Sequence, residues 1–196
     1  MKKTLNNKYF LLRHGKNIHQ TEKSDIFYCY PDDNPPCTLI EEGIEQIKKA
    51  GEFLKDKKID FIICSDILRV KQTAEIITGI IGYDKEIRFD QRLRDINWGI
   101  FGGKTMAEGW NYYNNDMSKR FDIAPEGGET WNDCRNRVIG VLNDLESEFR
   151  GKTILIISHG DPLWLLEGYV LGTSNNDLIN DEKGNRTIQT GEIREI

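Results

Sequence analysis

Tyr9-Phe10-Leu11-Leu12-Arg13-His14-Gly15 decides how this chain is read. Four consecutive apolar residues run into an arginine, a histidine and a glycine. That is the pattern of a strand buried on both faces that stops abruptly at a polar edge. The device recurs far downstream in Ile154-Leu155-Ile156-Ile157-Ser158-His159-Gly160. The chain holds three histidines, and two of them stand at these equivalent strand ends, each followed by glycine. A further apolar run ends in Cys64-Ser65-Asp66-Ile67-Leu68-Arg69, which sets Arg69 in the first turn of the next helix. Guanidinium groups and helix N-termini both favour anions. The expectation is that the strand ends meet in one phosphate-binding site, with fixed cations beside a nucleophilic imidazole.

Outward from this stretch, strands and helices alternate. Strands are expected at residues 8–12, 59–64, 85–89 and 153–158, with a last edge strand within 188–196. Thr38 and Glu41 have capping-box spacing and open a helix through about residue 57, with Ile40, Ile44, Ile47, Gly51 and Leu54 on one face. Ser65 is expected to cap a helix over 66–80. Trp131, Cys134, Val138, Leu142, Leu145 and Phe149 recur at helical spacing after Thr130. Pro162 sits near the first turn of an apolar helix ending at Leu171. Residues 15–37, with three prolines, read as a long loop, as do 90–104 and 175–185. Residues 106–121 read as a helix followed by irregular chain, and 125–128 as a turn. This alternation predicts an α/β fold, a three-layer α/β/α sandwich on a mainly parallel sheet. Ligands of such sheets collect at the C-terminal strand ends.

A length of 196 residues suits one domain, here with a covering segment at about 96–124. The net charge of −5 speaks against a nucleic-acid partner, which needs a basic field, yet a local arginine cluster can still bind an anion. No apolar stretch approaches the roughly 20 residues that span a bilayer, and residues 1–8 lack the apolar core of a signal peptide. Cys64 and Cys134 read as small core residues, while Cys29 and Cys37 lie in a loop and could pair. This cysteine usage points to the reducing cytoplasm. His19 and Cys29 are too loosely spaced for a zinc site, so no metal is expected. The oligomeric state is not legible.

Six ordered segments carry a resemblance. They are Arg13-His14-Gly15; Thr38-Leu39 with Gly43 and Gln46; Ser65-Asp66 with Leu68-Arg69 and Gln72-Thr73-Ala74; Leu93-Arg94-Asp95 with Gly99, Gly103 and Lys104; Pro125 with Gly128-Glu129-Thr130 and Arg137-Val138; and Ser158-His159-Gly160. Together they resemble the histidine phosphatase superfamily, in its phosphoglycerate mutase-like branch. The resemblance implies that His14 is the nucleophile and passes through a phosphohistidine. It implies that Arg13, Arg69 and His159 hold the phosphoryl oxygens and that no metal or cofactor is needed.

Asp95 takes the place usually held by Glu as general acid, with Asp161 as its competitor. Asn17 stands where Thr or Ser is expected and Gln20 where Asn is usual. Both are candidate substrate-binding residues, as is Gly160. Glu129 is expected to hold an arginine. The family's mutases use a longer segment than residues 96–124 before the turn at Pro125. The expected activity is therefore that of a phosphomonoesterase acting on a small phosphorylated metabolite. A mutase-type phosphotransferase and a non-catalytic phospho-ligand binding protein are the alternatives. Trp98, Trp110, Tyr112 and Tyr113 could stack on substrate or pack the covering segment.

Overall fold

Side chains alternate across a strand, so each central strand of this protein feeds two cores at once. The computed structural model describes residues 2–21, 25–180 and 187–196. Among these, β1 (Lys8–Arg13), β2 (Phe61–Cys64), β3 (Arg88–Phe89), β4 (Thr153–Ser158) and β5 (Ile193–Glu195) form one sheet in the order β3-β2-β4-β1-β5. The pairings are parallel except for β1 with β5, which is antiparallel.

Tyr9, Leu11, Ile63, Ile154 and Ile156 face α4 (Trp131–Glu148) and α5 (Gly160–Leu171). Phe10, Leu12, Ile62, Leu155 and Ile157 face α1 (Glu41–Leu54) and α2 (Leu68–Ile81). These ten side chains are almost wholly buried, and each such burial contributes about 1.5–3 kcal/mol. The result is the expected α/β/α sandwich. No helix among the described residues is long and apolar enough to cross a membrane.

A third apolar cluster lies beyond the sheet. Phe27, Trp98, Phe101, Phe121, Trp131 and Trp164 belong to it, and it joins the long first loop to the segment after Asp95. Backbone bonds zip these two stretches together. Phe27 N–H donates to Lys104 O at 2.9 Å, Gly103 N–H to Phe27 O at 2.9 Å, and Met106 N–H to Asp25 O at 3.0 Å. Gly109 of α3 (Met106–Tyr112) leaves room for the Phe27 ring, which any Cβ there would strike.

Several expected boundaries move. α1 begins at Glu41 with Ile40 as an uncapped N-cap, so Thr38 does not cap it. Leu39 instead forms a β-bridge with Asn17 and donates its N–H to Gln72 Oε1 at 2.9 Å, which keeps residues 38–40 extended. α2 begins at Leu68 with Ile67, not Ser65, at its N-cap; Ser65 Oγ accepts Ile67 N–H at 3.4 Å and lies 3.0 Å from His159 Nε2. β2 and β3 are shorter than expected, and 3₁₀ turns at Gln91–Leu93 and Gly99–Phe101 interrupt the loop over 90–104. α5 starts at Gly160, with Pro162 still in the first turn, where an N–H lacks a helical acceptor anyway.

The expected loop over 175–185 opens instead as α6 (Asn175–Asn180). Ser174 Oγ accepts Asp177 N–H at 3.1 Å, and Leu178 packs where a Cβ on Gly168 would stand. Residues 181–185 of that expected loop lie outside the described residues. The last strand covers only Ile193–Glu195. Cys29 and Cys37 are not bonded; all four cysteines are free thiols.

Candidate active site

Strand register brings the two histidines together. Arg13 stands opposite Ser158 in the β1–β4 pairing, so His14 and His159 leave the sheet side by side. His14 N–H donates to Ser158 O at 3.0 Å, and the two rings meet edge-on with centroids 5.2 Å apart. Both side chains are fully buried. His14 Nδ1 lies 2.8 Å from Gly15 O. A carbonyl oxygen only accepts, so Nδ1 carries the proton and Nε2 bears the lone pair. That Nε2 is buried and has no hydrogen-bond partner. Burial, then the Arg69 and Arg13 charges, hold the His14 imidazole well below its ordinary pKa. The ring is thus kept neutral and nucleophilic.

Arg69 is fully buried with its guanidinium 4.3 Å from the Tyr28 ring centroid. Its Nη1 reaches Asp32 Oδ1 and its Nη2 reaches Asp95 Oδ2, both at 3.3 Å. Contacts this long leave the guanidinium available to an anion. Arg13 Nη1 donates to Ile188 O at 2.8 Å, while Nε of each arginine is buried without a partner. Gly160 lets Arg13 lie flat on the backbone, since a Cβ there would stand 3.1 Å from Arg13 Cζ. His159 Nε2 pairs with Ser65 Oγ, and its unpartnered Nδ1 lies 3.6 Å from Asp95 Oδ2. Burial and the same cations also depress the His159 pKa.

Asp95 adjoins this cluster and is 17% exposed. Burial raises its pKa; Arg69 and Arg13 pull downward, the Asp161 carboxylate pushes upward, and burial prevails. Such a carboxyl tends to hold its proton, as an acid must. Asp161 is differently placed: its Oδ2 accepts from Arg120 Nη2 at 3.1 Å and from Trp131 Nε1 at 2.9 Å. It serves as the counter-charge of a buried cation.

The model of the histidine phosphatase superfamily (branch 1) matches residues 9–194. The chain belongs to that superfamily. A probable phosphoglycerate mutase, GpmB, of Salmonella choleraesuis (strain SC-B67) is 31% identical over 169 residues, covering 83% of this chain and 74% of that protein. Bacillus stearothermophilus YhfR superposes with a TM-score of 0.80 at 26% identity, over 97% of this chain and 90% of that one. A mycobacterial glucosyl-3-phosphoglycerate phosphatase does so with a TM-score of 0.77 at 22% identity, over 96% and 88% of the two chains, a likeness of fold. Phosphatase or mutase is the class of enzyme these relatives frame.

The remaining superfamily motifs brace the site. Gly43 lies against Lys16 so closely that no Cβ fits, and a Cβ on Gly15 would be 2.5 Å from Gly43 O. Gln46 Oε1 accepts Lys16 N–H at 2.9 Å, and Thr73 Oγ1 accepts Gly15 N–H at 3.2 Å. Glu129 pairs with Arg137 at 2.6 Å, as expected. Asn17 and Gln20 are occupied in another way. Asn17 Oδ1 caps the short 3₁₀ turn Ile18–Gln20 and its Nδ2 meets Tyr28 Oη at 2.9 Å, while Gln20 Oε1 accepts Asn17 N–H at 3.3 Å. Lys16 Nζ pairs with Glu42 at 2.7 Å on the surface. The group that can hold a cation among the described residues is His19, Asp33 and Cys37, whose ligand atoms lie within 4.8 Å of one another. Spacing hid it, because two of its members come from the far end of the loop.

A cavity of about 360 Å³ opens beside the cluster, with Arg13, Asp95 and Gly160 on its wall. Trp98 and Trp110 line it as sequence allowed, but Tyr112 and Tyr113 do not. Tyr112 packs on Phe101, and Tyr113 is buried in the covering segment. Sequence reasoning missed Arg120, Phe27, Tyr28 and Asp32. None stands in a motif, and only tertiary packing brings them here.

Proposed function

We propose that the protein is a metal-independent phosphomonoesterase that hydrolyses a small phosphorylated metabolite through a phosphohistidine on His14. The observation that carries this reading is the buried, partnerless Nε2 of His14, held neutral between Arg13 and Arg69. In the first step Nε2 attacks phosphorus, and an N–P bond forms as the bond to the ester oxygen breaks. Asp95 gives its proton to that oxygen, so the alcohol leaves neutral. Arg13, Arg69 and His159 Nδ1–H hold the three remaining oxygens; Ser65 Oγ–H donating to Nε2 keeps the His159 proton on Nδ1. In the second step Asp95, now a carboxylate, takes a proton from water as its oxygen bonds to phosphorus and the N–P bond breaks. Orthophosphate leaves, and both residues return to their starting states. Four unpaired cysteines fit a reducing compartment, and we place the protein in the cytoplasm on that ground.

Turnover of p-nitrophenyl phosphate in excess chelator tests this function. We expect turnover by the wild type and its loss, by at least about 10³-fold, in His14→Ala. No wild-type turnover, or full turnover by the variant, contradicts it. The likeness to a probable phosphoglycerate mutase favours a second reading, phosphoryl transfer between the hydroxyls of phosphoglycerate. A coupled assay of 3-phosphoglycerate isomerisation, primed with bisphosphoglycerate, decides between the two.

A further inference from the structure

We propose that the alcohol half of the substrate is uncharged and largely apolar and that it sits in the aromatic cavity beside His14. The inference rests on the phosphomonoesterase reading above and narrows it to a substrate class. Phe27, Trp98, Met106, Trp110, Met117 and Trp164 line the cavity, and its volume of about 360 Å³ suits a ring system or a branched chain.

The charges on its wall point the same way. Among the described residues, Arg13 and Arg120 are the cations lining this cavity, and Arg13 belongs to the phosphate cluster. Arg120 is already committed. Its guanidinium carbon lies 4.0 Å from the ring centroids of both Trp98 and Trp131, and its Nη2 donates to Asp161 at 3.1 Å. Trp131 Nε1 donates to the same carboxylate oxygen at 2.9 Å, locking the pair. Asp95 and Asp161 both face the cavity. Among the described residues, a second anionic group on the substrate, whether carboxylate or phosphate, meets no uncommitted cation beyond the phosphate cluster. Desolvation against the aromatic wall disfavours it. An apolar group meets aromatic faces.

Two alkyl esters test this with matched leaving groups, since 2-phenylethyl phosphate and 3-phosphoglycerate both release primary alcohols. We expect kcat/KM to favour the phenylethyl ester by at least about tenfold. Trp110→Ala should reduce that ratio about tenfold, with Trp110→Leu, which keeps the cavity apolar, falling between. Equal or better hydrolysis of 3-phosphoglycerate overturns the proposal, as does a ratio that Trp110→Ala leaves unchanged. Calorimetric binding of benzylphosphonate and phosphonoacetate reads the preference without turnover. Tighter benzylphosphonate binding is expected, and equal binding overturns the proposal. If benzylphosphonate is preferred but neither ester is hydrolysed, the phosphomonoesterase reading fails and the cavity assignment stands.

Discussion

Arg137 grips Asp95 by its backbone: Nη2 donates to the Asp95 carbonyl oxygen at 3.0 Å. The same guanidinium reaches Arg92 O at 2.6 Å and Arg94 O at 2.7 Å, and Glu129 fixes it from the other side. Ser158 Oγ, at the end of β4, adds a bond to Leu93 O at 2.6 Å. The acid-bearing loop is thus tied to both α4 and the central sheet. Asp95, one methylene shorter than the Glu usual in this branch, depends on that fixed position.

Arg137→Ala should therefore cost about 3 kcal/mol of stability, because it strands Glu129 and three carbonyls. As a positioning defect it should also lower kcat more for alkyl phosphates than for p-nitrophenyl phosphate. Arg137→Lys should rescue little, since one ammonium cannot span these acceptors. Urea denaturation and paired substrate kinetics check both points. Equal losses on the two substrates would reduce Arg137 to a structural role.

Gly43→Ala is expected to destabilise the fold by about 3 kcal/mol, because its Cβ has no space against Lys16 backbone. The exposed Gly79, where an added Cβ would meet nothing within 4 Å, is the matched control. Gly79→Ala should be neutral or slightly stabilising, as helix propensity predicts. Thermal melts of the two variants make the comparison.

Activity should peak on the acidic side of neutrality. His14 must be neutral to attack; its lowered pKa keeps it so well below about pH 6.5, which moves the acid limb down. Asp95 must be protonated to donate; its raised pKa extends that form upward, and activity falls as pH rises past it. Profiles of kcat/KM for an alkyl phosphate should show both limbs. A wild-type rate that climbs steadily through pH 8 would contradict the assignment of Asp95.

Asp95→Asn removes the proton but keeps the shape. Hydrolysis of alkyl phosphates should drop by about 10²–10⁴-fold, while p-nitrophenyl phosphate, whose leaving group needs little protonation, should lose far less. The alkaline limb should flatten for the substrate that remains measurable. Asp161→Asn should show no such dependence on the leaving group, because Asp161 is bound to Arg120 and Trp131.

The central sheet was legible because β1 and β4 are unbroken apolar runs that end in His-Gly signals, and residues 153–158 are the strand that was expected. Arg13, His14, Arg69, Asp95 and His159 converge because each sits at or just beyond the end of a strand or in the turn after it. Local signals failed where tertiary contacts outweighed them. The Thr38 box lost to the Asn17–Leu39 bridge, and the N-cap of α2 moved to Ile67, whose N–H bonds to Ser65 Oγ. α6 hid in a polar stretch; the one buried residue of the helix is Leu178. Asn17 and Gln20, the candidate substrate-binding residues, also complete the cap of a 3₁₀ turn, a local bond that their motif positions did not announce. The Arg120–Asp161 pair joins residues from separate elements, and no spacing rule connects them.

The central claim is that His14 Nε2 carries the phosphoryl group. Brief reaction with a ³²P-labelled phosphomonoester, quenched in alkali and mapped by mass spectrometry, tests it most directly. We predict label on His14 that is stable to base, labile to acid and absent from His14→Ala. Label on another residue, or turnover with no covalent label under conditions that trap a phosphohistidine, would contradict it.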